Sequence, residues 1–592
     1  VTGVTPITLL RAELDRRGLD GFAVPHADEY QSEYVPPCSE RLAWLTGFTG
    51  SAGAAVILRD RAAFFTDGRY TLQAKAQVDG RAFELLHLVE SPASTWIAAN
   101  LPAGARLGYD PWLHTADGVA TLTEAAERAG GRLVPVDGNP IDAVWRDRPA
   151  PPTAPIVPHP LAYAGTSAEE KRLAVADTLA NDKLDAAVLT APDSIAWLLN
   201  VRGGDIPYTP LPLSFALLHA DGRVSWFVDP RKLTDGLAAH LGNGVTVAPP
   251  EAFGPALDAL RGKRVRLDHG NSPAWALDRL TAAGAMVTRG ADPCQQPKAC
   301  KNPVELAGTR AAHRRDGAAL ARFLHWLANA APAGGLGEIA AADKLESFRR
   351  QGEHFRGLSF PTIAGAGPNG AIVHYRASPT SERKIEPGQL FLLDSGAQYL
   401  DGTTDVTRTI AIGPAGAEER RRFTRVLQGH IALAAARFPQ GTTGSQLDVL
   451  ARHALWGDGL DYDHGTGHGV GSFLGVHEGP QRISKVGNAQ PLLPGMIVSD
   501  EPGYYKTGAY GIRIENLVAV TELGKAEGSD KPMLGFETLT LAPIDLALVE
   551  REIMSVAEIA WLNAYHARVR AEIAPLVEPE VAAWLAEATR AI

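Results

Sequence analysis

Apolar positions along this chain follow two rhythms, and the change between them marks its organisation. In the C-terminal half, strand-like apolar runs meet glycine-rich punctuation: LFLLDSGAQYLDGTTDVTRT, HGTGHGVGSF, MIVSDEPGYY and GIRIENLVAV. Elsewhere the spacing is helical. Asn302, Pro303 and Glu305 read as N-cap, first-turn proline and third-position acid, and the helix they open is expected to bury Leu320, Phe323, Leu324 and Leu327. After about residue 543, Leu562, Tyr565, Val569 and Ile573 form one helical stripe, and Val581, Trp584, Leu585 and Ala588 another. These stripes read as a C-terminal cap or a dimer surface, core packing being the commoner use of such a pattern.

The N-terminal half carries a weak repeat. LDGFAVPHAD from Leu19 and LDAAVLTAPD from Leu184 each follow an amphipathic helical pattern and precede an AWL tripeptide containing Trp44 or Trp197, so two similar α/β domains are predicted. Between them, residues 147–165 are too rich in proline for a helix interior or a central strand and read as a linker. Just beyond, Thr166 with Glu169 has the spacing of a capping box.

Carboxylates inside apolar strand runs need a physical reason. Asp394, Asp405, Glu501 and Glu515 lie in or beside such runs, with His468 in another. Four buried carboxylates without counter-charge would protonate or bind cations, and two divalent ions balance four negative charges. One imidazole among carboxylate oxygens is an oxygen-rich donor set that suits Mn(II), with Co(II), Zn(II) and Fe(II) as alternatives. The residues therefore read as a two-metal hydrolase site.

Parity tests this grouping. A two-residue turn near Leu400–Gly402 would place Asp394 and Asp405 on one face, diagonal to each other and roughly 7–8 Å apart at the backbone. Glu501 and Glu515 share a face only if an odd loop or a bulge falls among Gly503, Gly508 and Gly511. Pro387-Gly388 precedes Asp394 by the same interval at which Pro494-Gly495 precedes Glu501, which suggests duplicated halves each supplying two acids.

GPNGAIVHY, LLDSGAQYLDGTTDVTRT, HGTGHGVGSFLGVHEGP and SDEPGYYKTGAYGIRIEN, with QSEYVPPCSERLAWLTGFTGSAGAA and TDGRYTLQA nearer the start, resemble the Xaa-Pro aminopeptidases (aminopeptidase P) of the long three-domain type over essentially the whole chain. The resemblance implies an α/β (α+β) chain: creatinase-like N-terminal α/β domains at 1–150 and 160–300, a pita-bread catalytic metallopeptidase domain at 301–542, and a C-terminal helical extension at 543–592. It implies Asp394, Asp405, His468, Glu501 and Glu515 as ligands of two metals bridged by a hydroxide that attacks the scissile carbonyl. Glu501 would accept and return the proton. His477 would hydrogen-bond the carbonyl as it becomes an oxyanion, while His374 and His464 would position the substrate and assist proton transfer at the prolyl nitrogen. Arg513, two residues before Glu515, would steady a ligand carboxylate. The substrates implied are peptides with an Xaa-Pro N-terminus, whose tertiary amide and fixed ring defeat general peptidases. Prolidase and creatinase-like hydrolysis remain alternatives, as does a non-catalytic pita-bread binding protein. Two domains ahead of the catalytic one favour aminopeptidase P over prolidase, and a complete ligand set argues against the last two.

At 592 residues and 45% apolar content the chain can hold three ordinary domains. A net charge of −10 argues against nucleic acid or an anionic membrane as the main partner. No apolar run reaches about 18 residues, and no basic segment followed by an apolar core opens the chain, so neither a membrane span nor a secretory signal is expected. Cys38, Cys294 and Cys300 are too few for a disulfide framework, which points to a cytoplasmic protein. A homodimer is expected from the family resemblance.

Overall fold

A computed structural model describes residues 5–525, 527–528 and 530–592; the first four residues of the expected first domain, and positions 526 and 529 of the catalytic one, lie outside the described residues. Two compact units emerge. One runs to Pro160 and resumes at Thr166–Gln295; the other comprises Leu161–Gly165 and Gln296–Ile592.

The first unit holds two six-stranded sheets of the same topology. Gly21–Pro25 pairs antiparallel with Ala54–Leu58 on one side and parallel with Arg106–Tyr109 on the other. The sheet is completed by Ala62–Thr66 and Glu84–His87 at one edge and Arg132–Pro135 at the other. In the second sheet Ala186–Leu189 takes the place of Gly21–Pro25, between antiparallel Phe215–His219 and parallel Arg264–Leu267. The sequence repeat marks these equivalent strands, and each AWL tripeptide follows in a short helix, Arg41–Thr46 or Pro192–Leu198. Trp112 and Trp275 stack at 3.9 Å where the two halves of this unit meet, an aromatic contact that adds to simple area burial.

The expected capping box shifts by one residue. Ser167, not Thr166, caps the helix Ala168–Asn181, and its partner is Glu170 rather than Glu169. The carbonyl of Thr166 is already accepting from Asn200 Nδ2, which holds that residue outside the helix. Such a cap is worth about 1 kcal/mol. Within the proline-rich stretch, Val157–Pro158 forms a two-residue edge pair with Val201–Arg202.

The second unit is organised by the long helix Pro303–Ala330, opened as expected by an Asn302–Glu305 capping box with proline at its start. Leu320, Phe323, Leu324 and Leu327 are buried along it. Beside it lie a three-stranded sheet, Ile363–Ala366, Gln389–Ser395 and Val406–Ile412, and a six-stranded sheet containing Gly467–Gly469, Ile497–Asp500 and Asn516–Gly524. The C-terminal stripes settle as packing. Leu562, Tyr565, Val569 and Ile573 on Val556–Ile573 are buried in the same apolar cluster as Val581 and Leu585, with Trp584 packed against it, so these residues are not a dimer surface. Their apolar faces are used internally.

Candidate active site

Each acidic residue is placed by a strand register. Asp394 lies opposite Thr407 in the antiparallel pair Gln389–Ser395 and Val406–Ile412. The chain between them turns through Leu400–Asp401, since Tyr399 pairs with Gly402. This is the two-residue turn that parity required, and it leaves Asp405 diagonal to Asp394. On the other side, Gly503–Lys506 and Tyr510–Arg513 close around Thr507–Ala509, a three-residue loop whose Gly508 adopts φ 76°. That odd loop keeps the register in which Asp500 faces Asn516, and it puts Glu501 opposite Glu515.

Both glutamates sit where the ribbon leaves the six-stranded sheet, and their freed amides tie the site together. Glu501 N–H donates to Thr466 O at 2.9 Å, within the segment that carries His468. Glu515 N–H donates to Thr407 O at 3.1 Å, beside Asp405. The two Pro-Gly turns also match: Gly388 and Gly495 have φ 86° and 85°. The strand after the first, Gln389–Ser395, contains Asp394, and the strand after the second, Ile497–Asp500, stops just before Glu501.

His468 occupies the short strand Gly467–Gly469. A Cβ on Gly467 would stand 2.0 Å from Ser499 O, so glycine is what lets this strand approach its neighbour. His468 Nδ1 bonds Gly469 O at 2.9 Å, which fixes Nδ1 as the protonated nitrogen and turns Nε2 toward the acids. Nε2 stands 3.5 Å from Asp405 Oδ2 and 3.6 Å from Glu501 Oε1. Ligand atoms of Asp405, His468 and Glu515 all fall within 4.8 Å of one another.

The electrostatics are those of a site short of positive charge. Burial, with Asp405 adding repulsion, pushes Asp394 up to about 6 although Arg513 opposes it. Burial likewise raises Glu501 to about 7, and Glu515 well above the usual carboxylate range, with Asp405, Glu501 and Asp394 repelling it further. Desolvation works against a charged His468, but the hydrogen bond to Asp405 and the field of Glu501 outweigh it and lift the imidazole to about 9. Asp394 Oδ1 is buried without a hydrogen-bond partner among the described residues. An orphaned carboxylate oxygen and acids crowded until they hold their protons this tightly form a donor set that divalent cations would satisfy, so the residues fit two metals.

Around these residues runs a hydrogen-bonded shell. Arg513 donates from Nη2 to Asp394 Oδ2 at 2.7 Å, from Nε to Thr407 Oγ1 at 3.1 Å and from Nη1 to Tyr505 Oη at 2.6 Å. Tyr505 in turn meets His464 Nε2 at 2.8 Å, while His464 Nδ1 meets Gly465 O at 2.8 Å. One proton arrangement satisfies the series: Nδ1–H donates to the carbonyl and the phenol donates to Nε2. His464 lies 4.0 Å from Glu501 Oε2. The ring of His477 is edge-on to His468, centroids 4.3 Å apart. His374 is half-buried in the turn after Gly367–Ala371, a segment whose Gly370 lies against Gly511. Thr407, Ser499 and Tyr505 were not singled out from sequence; Ser499 Oγ donates to Glu501 Oε1 at 3.1 Å and Thr407 Oγ1 to Glu515 Oε2 at 2.7 Å. Their positions two residues from Asp405 or Glu501, or inside EPGYY, were the available signal.

Metallopeptidase family M24 matches residues 307–522, with the C-terminal region of peptidase M24 at 532–592. Creatinase/prolidase N-terminal domains match 6–144 and 147–305. A probable Xaa-Pro aminopeptidase P of Aspergillus flavus is 43% identical over 580 residues, covering 95% of this chain and 88% of the relative. The chain belongs to the aminopeptidase P family of M24 metallopeptidases. Aminopeptidase P2 of Arabidopsis thaliana is 41% identical, covering 97% of this chain and 86% of its own length. Among solved structures, an X-prolyl aminopeptidase from Caenorhabditis elegans, described as a cytosolic enzyme with a di-nuclear active site, superposes with a TM-score of 0.94 at 35% identity and covers 99% of both chains. A Bacillus anthracis Xaa-Pro dipeptidase covers 64% of this chain at 24% identity and a TM-score of 0.52, a likeness of fold.

Proposed function

We infer that this aminopeptidase P family member is a metal-dependent exopeptidase releasing the N-terminal residue from peptides with proline at the second position. The observation that carries the reading is the convergence of Asp394, Asp405, His468, Glu501 and Glu515, with an orphaned Asp394 oxygen and proton-retaining acids, in a chain that matches such relatives along nearly all its length. These five residues would hold two divalent ions, which when bound supply a nucleophilic water near neutral pH and a Lewis acid for the scissile carbonyl. The oxygen-rich donors favour Mn(II).

Glu501 would take up the proton of the attacking water and return it to the departing prolyl nitrogen. His477, edge-on to His468, donates toward the carbonyl oxygen as charge develops there. His374 lines the approach to the prolyl ring. His464, held between Gly465 O and Tyr505 Oη, helps to position the substrate and assists proton transfer at the prolyl nitrogen. Arg513 holds the Asp394 carboxylate in place.

The domain division at 1–150, 160–300, 301–542 and 543–592 is part of this proposal, supported by the repeated sheets and by the family matches. A cytoplasmic location is supported by three free cysteines and by the cytosolic nematode enzyme; among the described residues no helix is long and apolar enough to cross a membrane. The homodimer rests on the family resemblance alone, since the C-terminal stripes are internal.

The test is release of the N-terminal residue from an Xaa-Pro-Yaa tripeptide and an Xaa-Pro dipeptide, using metal-stripped protein with and without Mn(II). Metal-dependent tripeptide cleavage is expected. Cleavage of the dipeptide alone would reassign the chain to prolidase, and no turnover with any divalent metal would make it a binding protein.

A further inference from the structure

Behind the acids, on the face of Val406–Ile412 opposite Thr407, lies an arginine that no ligand uses. Arg408 is 3% exposed and meets six acceptors, none of them a carboxylate. Its Nε donates to Pro543 O at 3.0 Å. Nη1 donates to the main-chain oxygens of Thr407 and Glu515 at 2.8 and 2.6 Å. Nη2 reaches Asn516 Oδ1, Ala542 O and Tyr565 Oη at 2.8, 2.9 and 2.9 Å. A guanidinium buried among dipoles alone is expensive, and burial lowers its proton affinity. Such a group persists where its fork does geometric work and its charge answers nearby negative charge.

The contacts show where that work goes. Arg408 clamps the backbone of Thr407, next after Val406 and Asp405, to that of Glu515. From Asn516 the hydrogen bonds continue: Asn516 Nδ2 meets His430 Nε2 at 3.0 Å, and His430 Nδ1 meets the main-chain oxygen of Asp500, the residue before Glu501, at 3.1 Å. One buried series thus joins the backbone beside three of the acids. It is closed from the C-terminal region by Tyr565, whose hydroxyl also reaches Thr540 O at 3.1 Å and whose ring stacks on Trp561 at 5.3 Å.

We propose that Arg408 and Tyr565 are positioning residues of the metal centre, through which the helix Val556–Ile573 holds the backbone of Glu515 and Glu501 in the spacing that binds two ions. This rests on the two-metal reading above. Changes in the shell behind metal ligands lower metal affinity about 10–100-fold. Tyr565→Phe removes one hydroxyl while keeping the ring stacked on Trp561.

The experiment is Mn(II) titration of metal-stripped full-length protein by calorimetry, with thermal unfolding of the metal-free form, for wild type, Tyr565→Phe, Arg408→Lys and Leu562→Ala. Leu562 is buried on the same helix but outside the series. Tyr565→Phe is expected to weaken Mn(II) binding at least about tenfold with little change in metal-free melting, and to add little further loss in the Arg408→Lys background. Leu562→Ala is expected to lower the melting temperature and leave affinity unchanged. Unaltered affinity in Tyr565→Phe would overturn the proposal, as would affinity and melting falling together in both helix variants. Absence of Mn(II) binding by wild type would instead overturn the two-metal reading itself.

Discussion

The first unit of this protein repeats a whole strand topology, whereas the second repeats only a Pro-Gly turn and strand that lead toward Asp394 and Glu501. In the first unit the equivalent strands Gly21–Pro25 and Ala186–Leu189 are almost wholly apolar, and a buried acid such as Asp205 is fully answered. Its Oδ2 accepts from Lys232 Nζ at 2.6 Å and Leu213 N–H at 2.7 Å, and Oδ1 from Ala154 N–H at 3.3 Å. In the second unit the buried Asp394 on Gln389–Ser395 and Glu501 just after Ile497–Asp500 are acids that repel Glu515 and Asp405, and Asp394 Oδ1 has no donor among the described residues. Burial alone therefore says nothing of function. What separates Asp205 from the site acids is that its buried charge is balanced by the fold, whereas theirs, crowded against one another, is not.

The sharpest way to break this contrast is to neutralise a site acid. Glu515→Gln should cut peptide turnover by more than about a hundredfold, beyond the upper end of outer-shell changes, while the metal-free protein melts at the same temperature or higher near pH 8. Loss of folding in this variant would show Glu515 to be balanced in the way Asp205 is.

His477→Ala should lower kcat about 10²–10³-fold while Mn(II) content stays that of wild type. A fall in metal content would make His477 a ligand-shell residue instead.

The charge imbalance should also appear as a pH dependence of stability. Asp394 and Glu501 rise from ordinary values of 3.8 and 4.5 to about 6 and about 7 in the fold. A carboxyl raised by folding stabilises the fold while protonated, so this contribution is complete below about 4 and is lost as pH climbs through 6 and 7. His468, raised from 6.5 to about 9, adds a loss of the same sign at higher pH. Melting of metal-free protein should therefore fall by several degrees between pH 5 and pH 8, and added Mn(II) should restore it; a flat profile would contradict the imbalance.

The smallest effect on activity should come from the balanced region. Lys232→Met leaves Asp205 without its cation and should cost about 3–5 kcal/mol of stability. Activity per folded molecule should hold, as measured by turnover after the folded fraction is determined.

Much of this architecture was legible in residues. The odd and even spacings of Asp394/Asp405 and Glu501/Glu515 fixed the loop types that the strands adopt, because a strand shows its faces with a period of two. The Asn302 cap was readable because asparagine, proline and glutamate each satisfy a different helix-start requirement. The cap at Ser167 was misplaced by one residue because Thr166 and Ser167 offer the same hydroxyl at the same spacing from an acid; only the long-range bond from Asn200 decides between them. The C-terminal stripes could not be assigned to core or interface from periodicity, since both bury the same face. Arg408 was silent for a related reason: a charged residue in a strand looks solvent-facing until the tertiary contacts to Pro543, Ala542 and Tyr565 are known.

The most direct measurement is anomalous diffraction at the manganese edge from crystals equilibrated with Mn(II). Two peaks roughly 3.5–4 Å apart are predicted among Asp394, Asp405, His468, Glu501 and Glu515. A single peak confined to Asp405, His468 and Glu515, or none at all, would contradict a two-metal centre.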